Sequence, residues 1–502
     1  MAYLSIEQIG TGLREKRFSA VEVAKNYLDR IAARDGGLGA YLHVMGDDAL
    51  AAAARVDAAI ERGDELSALA GVPVAVKDTI LVAGHPTTAS AKVLESYVAA
   101  YDATAVTRMK ANDAVLLGKT NCDEFAMGSS TENAALGKTV NAWDASRVPG
   151  GSSGGSATAV AADLACVALG SDTGGSIRQP AALSGIVGLK PTYGSVSRHG
   201  LIAMASSFDV IGPIARSVAD VRTVFHAIRG QDRHDATSSG AASRPSDAKR
   251  VADLRVGIPK EYFGEGMDAD VAQAVRDAIA TVEGFGCRVE EVSLPLTTYA
   301  LAVYYVLMPS EVSANLERYD GIRYGLSALA GSVPNAANLN EVYTKTRAAG
   351  FGPETKRRVM IGTYALSSGY ADQYYKRALA VRNRIKHEYR KVFERVDVLL
   401  TPTTPTPAWA LGAKQDDPLQ MYLSDIFTVS ANVAGIPGLS IPCGFVERSS
   451  DPPPLLEGGR GGVVRLPVGL QLLAPWFSED TLFTLGEAYE QATDWHTQHP
   501  NA

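Results

Sequence analysis

A serine that directly follows a glycine pair is the first feature of this sequence that points to chemistry. The stretch GSDTGGSIRQP, residues 170–180, carries that serine as Ser176. Three interpretations compete: a tight structural turn, a loop that binds phosphate, and a turn that presents a nucleophile. Phosphate-binding loops contain either the lysine of a P-loop or the spaced glycines of a dinucleotide-binding turn, and this stretch has neither. Taken alone it favours a structural turn, because such turns are common.

A second glycine-rich stretch, VPGGSSGGSATAV at residues 148–160, contains Ser152. It precedes a predicted helix, and the first backbone N–H groups of a helix are free to bind an anion. This stretch also lacks the lysine of a P-loop. Phosphate binding and the presentation of a reactive serine therefore both stay open for it.

A serine nucleophile requires a neighbouring base, because its hydroxyl is a weak nucleophile at its ordinary pKa. Histidine is the usual base, but the eight histidines lie in ordinary helical, loop or tail contexts, including His199, the one nearest to Ser176. Lys77 ends the apolar run GVPVAVKD and would lie at the end of a buried strand. Burial lowers the pKa of a lysine, and a neutral lysine can act as a general base. Serine and lysine together form one of the known variants of the serine triad. The alternative is an ordinary solvated lysine.

Composition limits the classes of protein to consider. The chain has 502 residues, 46% of them hydrophobic, and a net charge of −7. This acidic balance argues against charge-driven binding of nucleic acid by the chain itself. The four cysteines show no CxxC spacing and are interpreted as reduced thiols. No apolar leader segment and no apolar run of about 20 residues is present, so we expect a cytoplasmic protein without a membrane span.

Short apolar runs alternate with helical patterns along the chain. GVPVAVKD, AVLLGKTN and LSIPCGF are typical of buried strands. FSAVEVAKNYLDRIAARDGG, residues 18–37, predicts a helix that ends at its last two glycines. Strands that alternate with helices predict an α/β fold in which helices cover both faces of a sheet. Two polar stretches, 233–250 and 448–464, are predicted to be loops.

We expect a single domain, 1–502, with four parts. An N-terminal helical segment occupies 1–65, and a core that carries the reactive residues occupies 66–225. A mostly helical lobe follows at 265–400. Strands and helices at 401–502 then complete the core.

Three ordered motifs resemble the amidase signature family: Lys77 in GVPVAVKD, then PGGSSGGSA at 149–157, then GSDTGGSIRQPA at 170–181. TNCDEFAMGSS and GLKPTYGSVSRHGL extend the resemblance over most of residues 70–215. The resemblance implies the fold of that family, a large mixed, mostly parallel sheet covered by helices on both faces. It also implies a Ser-cisSer-Lys triad. In that triad Ser176 is the acyl-ester nucleophile, Ser152 is the bridging serine and Lys77 is the general base.

The residue chemistry agrees with this triad. A neutral Lys77 would accept a proton from Ser152, which would accept one from Ser176. The glycines allow a tight turn whose backbone N–H groups converge on an oxyanion, and a side chain there would block the approach. The expected oxyanion hole is formed by the N–H groups of Thr173, Gly174, Gly175 and Ser176.

Three further positions near these motifs carry expectations. Asp172 and Arg178 are predicted to pair and brace the turn, with contact between Arg178 and substrate as the less favoured alternative. Cys122 stands where the family more often has methionine, and we interpret it as a packing change. Thr79 stands where asparagine is frequent, which could alter a hydrogen bond near Lys77.

Stretches outside the triad motifs resemble one branch of the family, the glutaminase subunits of tRNA-dependent amidotransferases. Two of them are YYVLMPSEVSANLERYDGIRYG, 304–325, and GFGPETKRRVMIGTYALSSGYADQYYKRA, 350–378. The resemblance implies release of ammonia from glutamine and its use by a partner subunit to transamidate misacylated Glu-tRNA(Gln), with Asp-tRNA(Asn) left open. Two partners are implied, a tRNA-binding, kinase-like subunit that uses ATP and magnesium, and a small stabilising subunit. No cofactor is implied for this chain, and tRNA would be contacted through the complex.

The same resemblance implies a pocket for the two charged ends of glutamine. Arg358 would bind the α-carboxylate and Asp425 the α-ammonium group, with Tyr304 nearby. Met127, Gly128 and Ser129 would line the pocket. Without the resemblance, the charged residues would be interpreted as solvated helix positions, and Arg357 could be confused with Arg358.

Two alternative functions are kept. The first is a stand-alone amidase of broad specificity from the same family. The second is a non-catalytic nucleotide-binding module that uses PGGSSGGSA as an anion loop.

Overall fold

The computed structural model describes residues 3–241, 249–264, 266–329, 336–449 and 463–500. Within these ranges one sheet of eleven strands has the order β1-β3-β2-β4-β6-β5-β10-β11-β9-β7-β8. The strands are β1 (Tyr41–Val44), β2 (Pro73–Lys77), β3 (Val115–Thr120), β4 (Val167–Asp172), β5 (Val187–Lys190), β6 (Val210–Ala215), β7 (Arg255–Pro259), β8 (Arg288–Val292), β9 (Val398–Pro402), β10 (Gly438–Ser449) and β11 (Val463–Leu473).

The described helices are α1 (Ile6–Arg14), α2 (Ala20–Leu38), α3 (Gly46–Arg62), α4 (Thr104–Ala111), α5 (Gly154–Ala161), α6 (Arg178–Ser184), α7 (Val218–Ile228), α8 (Ala269–Glu283), α9 (Ala300–Asn315), α10 (Leu339–Gly350), α11 (Pro353–Leu366), α12 (Arg377–Phe393), α13 (Pro418–Leu423), α14 (Val429–Ala434) and α15 (Glu479–Ala492). None of the described helices is both long enough and apolar enough to cross a bilayer.

The predicted α/β fold with a large mixed sheet is confirmed. Four neighbouring pairs are parallel, β3 with β2, β2 with β4, and β7 with both β8 and β9. The six other pairs are antiparallel and lie mostly in the middle of the sheet, so the expectation of a mostly parallel sheet is wrong. Antiparallel pairs are in the majority because β6, β10 and β11 run antiparallel to both of their neighbours. The apolar pattern of a short strand does not indicate the direction in which its neighbours run.

The central strands are buried along their whole length. Every residue of β2, β3, β4 and β6 is buried. Because successive side chains of a strand point to opposite faces, complete burial means that both faces of the sheet are covered. The ends of these strands are therefore buried positions, shielded from solvent, where polar side chains can lie.

The helical segments of the sequence contain strands that the helical pattern did not reveal. The N-terminal segment includes β1, which pairs with β3 at the edge of the sheet. The lobe at 265–400 includes β8, which forms the opposite edge beside β7. Both strands are short and partly exposed, so they lack a strong apolar signal. The predicted stop at Gly36–Gly37 is wrong, because α2 continues to a left-handed Gly39, whose N–H group bonds to Asp35.

Two apolar clusters meet around the sheet. The first gathers the side chains between the strands and the helices packed on them, such as α2, α5, α7 and α15. The second gathers α9, α12 and α14 with parts of the loops that follow β2 and β3. Much of the predicted loop at 233–250 and most of that at 448–464 lie outside the described residues, although β10 and β11 extend to Ser449 and from Val463.

Candidate active site

Lys77 is the last residue of β2 and is completely buried. Its Nζ donates hydrogen bonds to Ser152 Oγ at 2.7 Å and to Ser153 Oγ at 2.9 Å. Burial lowers the pKa of Lys77 to about 8. The partners are hydroxyls and not a carboxylate, so no described residue that is hydrogen-bonded to Lys77 fixes its positive charge. The lysine is thus able to exchange a proton near neutral pH.

Ser152 lies in the loop before α5, and the Gly151–Ser152 peptide bond is cis. The loop is tied down at several points: Gln179 Oε1 accepts a hydrogen bond from Gly151 N at 2.9 Å, and Ser152 O accepts one from Asp123 N at 3.3 Å. Ser153 Oγ also donates to Ser171 O at 3.1 Å. These bonds place the Ser152 hydroxyl against Lys77.

Ser176 lies between β4 and α6 with 7% of its surface exposed. Its carbonyl oxygen accepts a hydrogen bond from Ser153 N at 3.1 Å, which joins the two serine loops through their backbones. Within the described ranges, no hydrogen bond links the Ser176 and Ser152 hydroxyls. The structure thus brings Ser152 and Ser176 into neighbouring loops and joins Ser152 by a hydrogen bond to Lys77 at the end of β2.

The two glycine positions between Thr173 and Ser176 have no space for a side chain. A Cβ on Gly174 would lie 2.8 Å from the Tyr304 hydroxyl, and one on Gly175 would lie 2.2 Å from Thr428 Oγ1. Gly175 also has a φ of 145°, which favours glycine. In the described chain, the N–H groups of Gly174, Gly175 and Ser176 donate to no protein acceptor, so they are available to an oxyanion.

Asp172 and Arg178 brace this turn. Arg178 Nε and Nη2 each donate to the Asp172 carboxylate at 3.1 Å, and both side chains are fully buried. Burial alone would raise the pKa of Asp172, but Arg178 and other neighbours more than offset this and lower it to about 2. The remaining Arg178 donors reach Thr428 O, Gln471 and Asn432. The donors of Arg178 are thus hydrogen-bonded to protein groups, as expected if Arg178 braces the turn and does not contact the substrate.

Asp425 and Ser129 form the part of the predicted pocket that is nearest to these loops. Ser129 Oγ donates to Asp425 Oδ2 at 2.5 Å. Burial raises the pKa of Asp425 to about 7, and the bond from Ser129 opposes that shift. Gln179 Nε2 donates to Ser129 O at 2.7 Å, while its Oε1 holds the Ser152 loop. One side chain therefore fixes the spacing between the pocket and the triad.

Arg358 lies on α11 with 3% of its side chain exposed, whereas Arg357 is 42% exposed. Its Nε donates to Glu354 Oε1 at 2.7 Å. Its guanidinium lies 5.6 Å from the ring centre of Tyr305 and 5.5 Å from that of Tyr422. Of these two adjacent arginines, Arg358, the predicted carboxylate ligand, is therefore the buried one.

The start of α11 is fixed by the loop that carries Ser129. The Glu124 carboxylate accepts a hydrogen bond from Gly352 N at 2.8 Å and another from the Thr355 hydroxyl. A carboxylate at a helix N-terminus satisfies free N–H groups and complements the helix dipole. Glu124 therefore couples the position of Arg358 to that of the pocket loop.

A cavity of about 670 Å³ borders Arg358, and Lys77, Ser152, Ser176, Ser129 and Asp425 are not among its lining residues. Its lining includes Gly128, Glu354, Arg357, Arg358 and Tyr422. Met127, which was predicted to line the pocket, is completely buried in the second apolar cluster. Tyr304, on α9, packs edge-on against Phe208, and its hydroxyl lies close to Gly174.

Several residues of this site were not predicted from the sequence: Gln179, Glu124, Glu354 and Tyr422. A polar residue inside a buried helix is a signal for Gln179, and a glutamate four residues before Arg358 is one for Glu354. Cys122 is fully buried, and burial raises the pKa of its thiol, which is consistent with a packing role. Thr79 Oγ1 has no hydrogen-bond partner among the described residues.

Comparison with known proteins gives evidence that is independent of the geometry of the site. The Amidase family model matches residues 22–483. A relative from Carboxydothermus hydrogenoformans, which is named as a glutamyl-tRNA(Gln) amidotransferase subunit, is 51% identical over 501 residues, which is 99% of each chain.

Two solved structures share the fold. The crystal structure of a glutamyl-tRNA(Gln) amidotransferase subunit from Thermotoga maritima has a TM-score of 0.75 and 37% identity, covering 98% of this chain and 95% of that one. The structure of 6-aminohexanoate cyclic dimer hydrolase has a TM-score of 0.80 but 26% identity, covering 99% of each chain. Backbone shape is thus shared by a hydrolase of another name, while sequence identity is higher with the amidotransferase subunits.

Proposed function

The chain belongs to the amidase family, and from that premise we propose that it is the glutamine-hydrolysing subunit of a tRNA-dependent amidotransferase. The observation that carries the hydrolase chemistry is the buried Lys77, which bonds to Ser152 Oγ at 2.7 Å and has a pKa of about 8. The assignment to this branch rests on relatives named as such subunits, at 51% identity over 99% of the chain.

The first half of the reaction forms an acyl enzyme. Neutral Lys77 takes the proton of Ser152, and Ser152 takes that of Ser176, whose Oγ attacks the side-chain amide carbon of glutamine. The oxyanion is stabilised by the N–H groups of the turn from Thr173 to Ser176. The proton returns through Ser152 to the amide nitrogen, the C–N bond breaks and ammonia leaves.

The second half releases glutamate. Water attacks the ester carbon, and its proton passes into the same relay. The bond from the carbon to Ser176 Oγ breaks, and the serine recovers its proton. One water is consumed, and glutamine yields glutamate and ammonia.

The substrate ends are bound by residues of opposite charge. Arg358 binds the α-carboxylate and Asp425 the α-ammonium group, with Ser129 and Tyr304 beside them. The arrangement is supported by the burial of both charged side chains. A buried, specific ion pair with each end selects free glutamine over other amides.

The ammonia is consumed by a partner. We infer a tRNA-binding, kinase-like subunit that activates misacylated Glu-tRNA(Gln) with ATP and magnesium, and a small subunit that stabilises the assembly. The formal net charge of −7 of this chain suits a role in which the partner supplies most of the RNA contact. A cytoplasmic location follows from that role.

The competing function is a stand-alone amidase, which the likeness to 6-aminohexanoate cyclic dimer hydrolase favours at a TM-score of 0.80. Glutamine hydrolysis is measured for the chain alone and with its partner subunits. Activity on glutamine that increases with the partners supports the proposal, and brisk hydrolysis of aliphatic or aryl amides by the chain alone contradicts it. Mass spectrometry of a trapped glutamyl adduct must locate it on the peptide that contains Ser176.

A further inference from the structure

Glu354 is a buried carboxylate that contacts the predicted substrate-binding arginine. It lies one helical turn before Arg358 on α11 and accepts the hydrogen bond from Arg358 Nε at 2.7 Å. The same oxygen, Oε1, accepts a hydrogen bond from the Tyr422 hydroxyl at 2.8 Å. The other oxygen accepts one from Arg357. Both oxygens of Glu354 are therefore engaged, and 9% of its side chain is exposed.

These contacts determine which edge of the guanidinium is free. A guanidinium has five N–H donors in one plane, in a fixed fork geometry. Glu354 occupies Nε, and Nη1 contacts Met308 Sδ at 3.7 Å. Arg358 also borders the cavity of about 670 Å³, together with Glu354 and Tyr422. The donors that Glu354 leaves free are the ones available to a carboxylate in that cavity.

Aromatic rings restrict rotation of the same group. Tyr305 and Tyr422 are stacked with ring centres 4.0 Å apart, and both lie within 6 Å of the guanidinium carbon of Arg358. Because Tyr422 also donates to Glu354, one residue holds both the carboxylate and the stack. The orientation of the Arg358 guanidinium is therefore fixed before substrate binds, which reduces the entropic cost of ordering this group on binding.

The charge of the cluster remains suitable for an anion. Glu354 neutralises one positive charge, and the second arginine in contact with it, Arg357, restores a net charge of +1 for the three residues together. The described lining of the cavity as a whole is balanced, with four cationic and four acidic side chains, so the positive charge is local to this cluster. A carboxylate that reaches Arg358 thus meets a net positive charge and an oriented donor pair.

We infer that Glu354, held by Tyr422, is a positioning residue that orients Arg358 and thereby makes the site selective for amides with an α-carboxylate. The inference rests on the proposed function. It predicts an effect on substrate binding and selectivity, with the acyl-transfer step left intact.

The test compares three amides in the assembled enzyme with its partner subunits. Glutamine has both charged ends, glutarate monoamide keeps only the carboxylate, and 4-aminobutanamide keeps only the ammonium group. In Glu354→Gln we expect KM to rise about tenfold for the two carboxylate-bearing amides, with kcat within about twofold, since a charge-assisted bond is lost. The kcat/KM for 4-aminobutanamide should be unchanged.

Two further variants make the test robust. Tyr422→Phe removes only the hydroxyl that holds Glu354, and we expect the same selectivity change with a KM rise of about threefold. Glu341→Gln is the matched control, because Glu341 pairs with Lys345 at the same four-residue spacing but lies on the surface of α10. It should leave all three amides unaffected.

Equal losses for all three amides in Glu354→Gln, or a fall in kcat at constant KM, would overturn the inference. A wild-type assembly that fails to hydrolyse glutamine would instead contradict the proposed function. The two failures are therefore distinguishable.

Discussion

Two regions of the molecule each contain a buried cation, and they use it in opposite ways. At the end of β2, the hydrogen bonds that Lys77 Nζ makes with described residues go to the hydroxyls of Ser152 and Ser153. At the start of α11, Arg358 contacts the carboxylate of Glu354. A buried lysine without a counter-ion loses its proton readily, whereas a guanidinium keeps its charge and is held in place by its carboxylate partner. The type of side chain and its partner therefore decide together whether a buried cation serves as a base or as an anchor.

The largest expected effect comes from removing the base. Lys77→Met should lower kcat for glutamine by about 10³-fold or more, because Lys77 is the base that the described residues place against the Ser152 hydroxyl. Ser176→Ala should cause a loss of similar size and abolish the covalent adduct. Steady-state kinetics of the assembly measures both. Circular dichroism must show an intact fold, and retention of activity in a folded variant would exclude the relay.

A second lysine tests the same comparison through stability. Lys119 lies on β3 beside β2, is completely buried, and donates to Asp78 Oδ1 at 2.9 Å. Burial lowers the pKa of Lys119, and the Asp78 carboxylate opposes that shift. In Lys119→Met the buried Asp78 carboxylate loses its counter-ion, which typically costs about 3–5 kcal/mol.

Denaturant unfolding of the full-length chain measures this cost, with Lys77→Met as the matched control. The control leaves only hydroxyls without their partner, so its cost should be near 1–2 kcal/mol. If both variants lose the same stability, the counter-ion does not distinguish the two lysines.

The two regions also differ in how well the sequence predicts them. Lys77, Ser152 and Ser176 stand in contiguous motifs, and a strand end or a glycine turn carries its own local signal. The pocket depends on contacts between distant segments: Glu124 reaches α11, and Tyr422 reaches Glu354. Local periodicity contains no information on such contacts, so Arg358 and Asp425 are predicted by the family resemblance and not by the local sequence pattern.

The strands of the sheet show the same difference between local sequence signals and contacts with distant segments. Fully buried strands such as β2 and β3 were predicted, because both their faces are apolar. The edge strands β1 and β8 were missed, because they are short and half-exposed. The pairing direction in the middle of the sheet depends on tertiary contacts and is not encoded in any single run.

Removal of the anchor should affect binding more than chemistry. Arg358→Gln should raise KM for glutamine by about 10- to 150-fold, since a hydrogen bond to a charged group contributes about 1.5–3 kcal/mol. The kcat should change by about threefold or less. Initial rates over a wide range of glutamine concentration measure both constants. A loss confined to kcat would mean that Arg358 acts on the reacting atoms and is not a binding anchor.

The smallest effect is a pH dependence of kcat that comes from the base, Lys77, and not from the anchor, Arg358. The pKa of Lys77 is lowered to about 8, so the lysine is mostly protonated below that pH and mostly neutral above it. Since only the neutral form accepts a proton, kcat at saturating glutamine should rise roughly tenfold between pH 7 and pH 9 and then level off. The guanidinium of Arg358 stays charged throughout this range and adds no inflection. Profiles of kcat in the wild type and in Glu354→Gln should therefore have the same midpoint, because the substitution acts on the anchor. A midpoint that moves with Glu354, or a profile that falls as the pH rises, would mean that the two cations are coupled and not separately set by their partners.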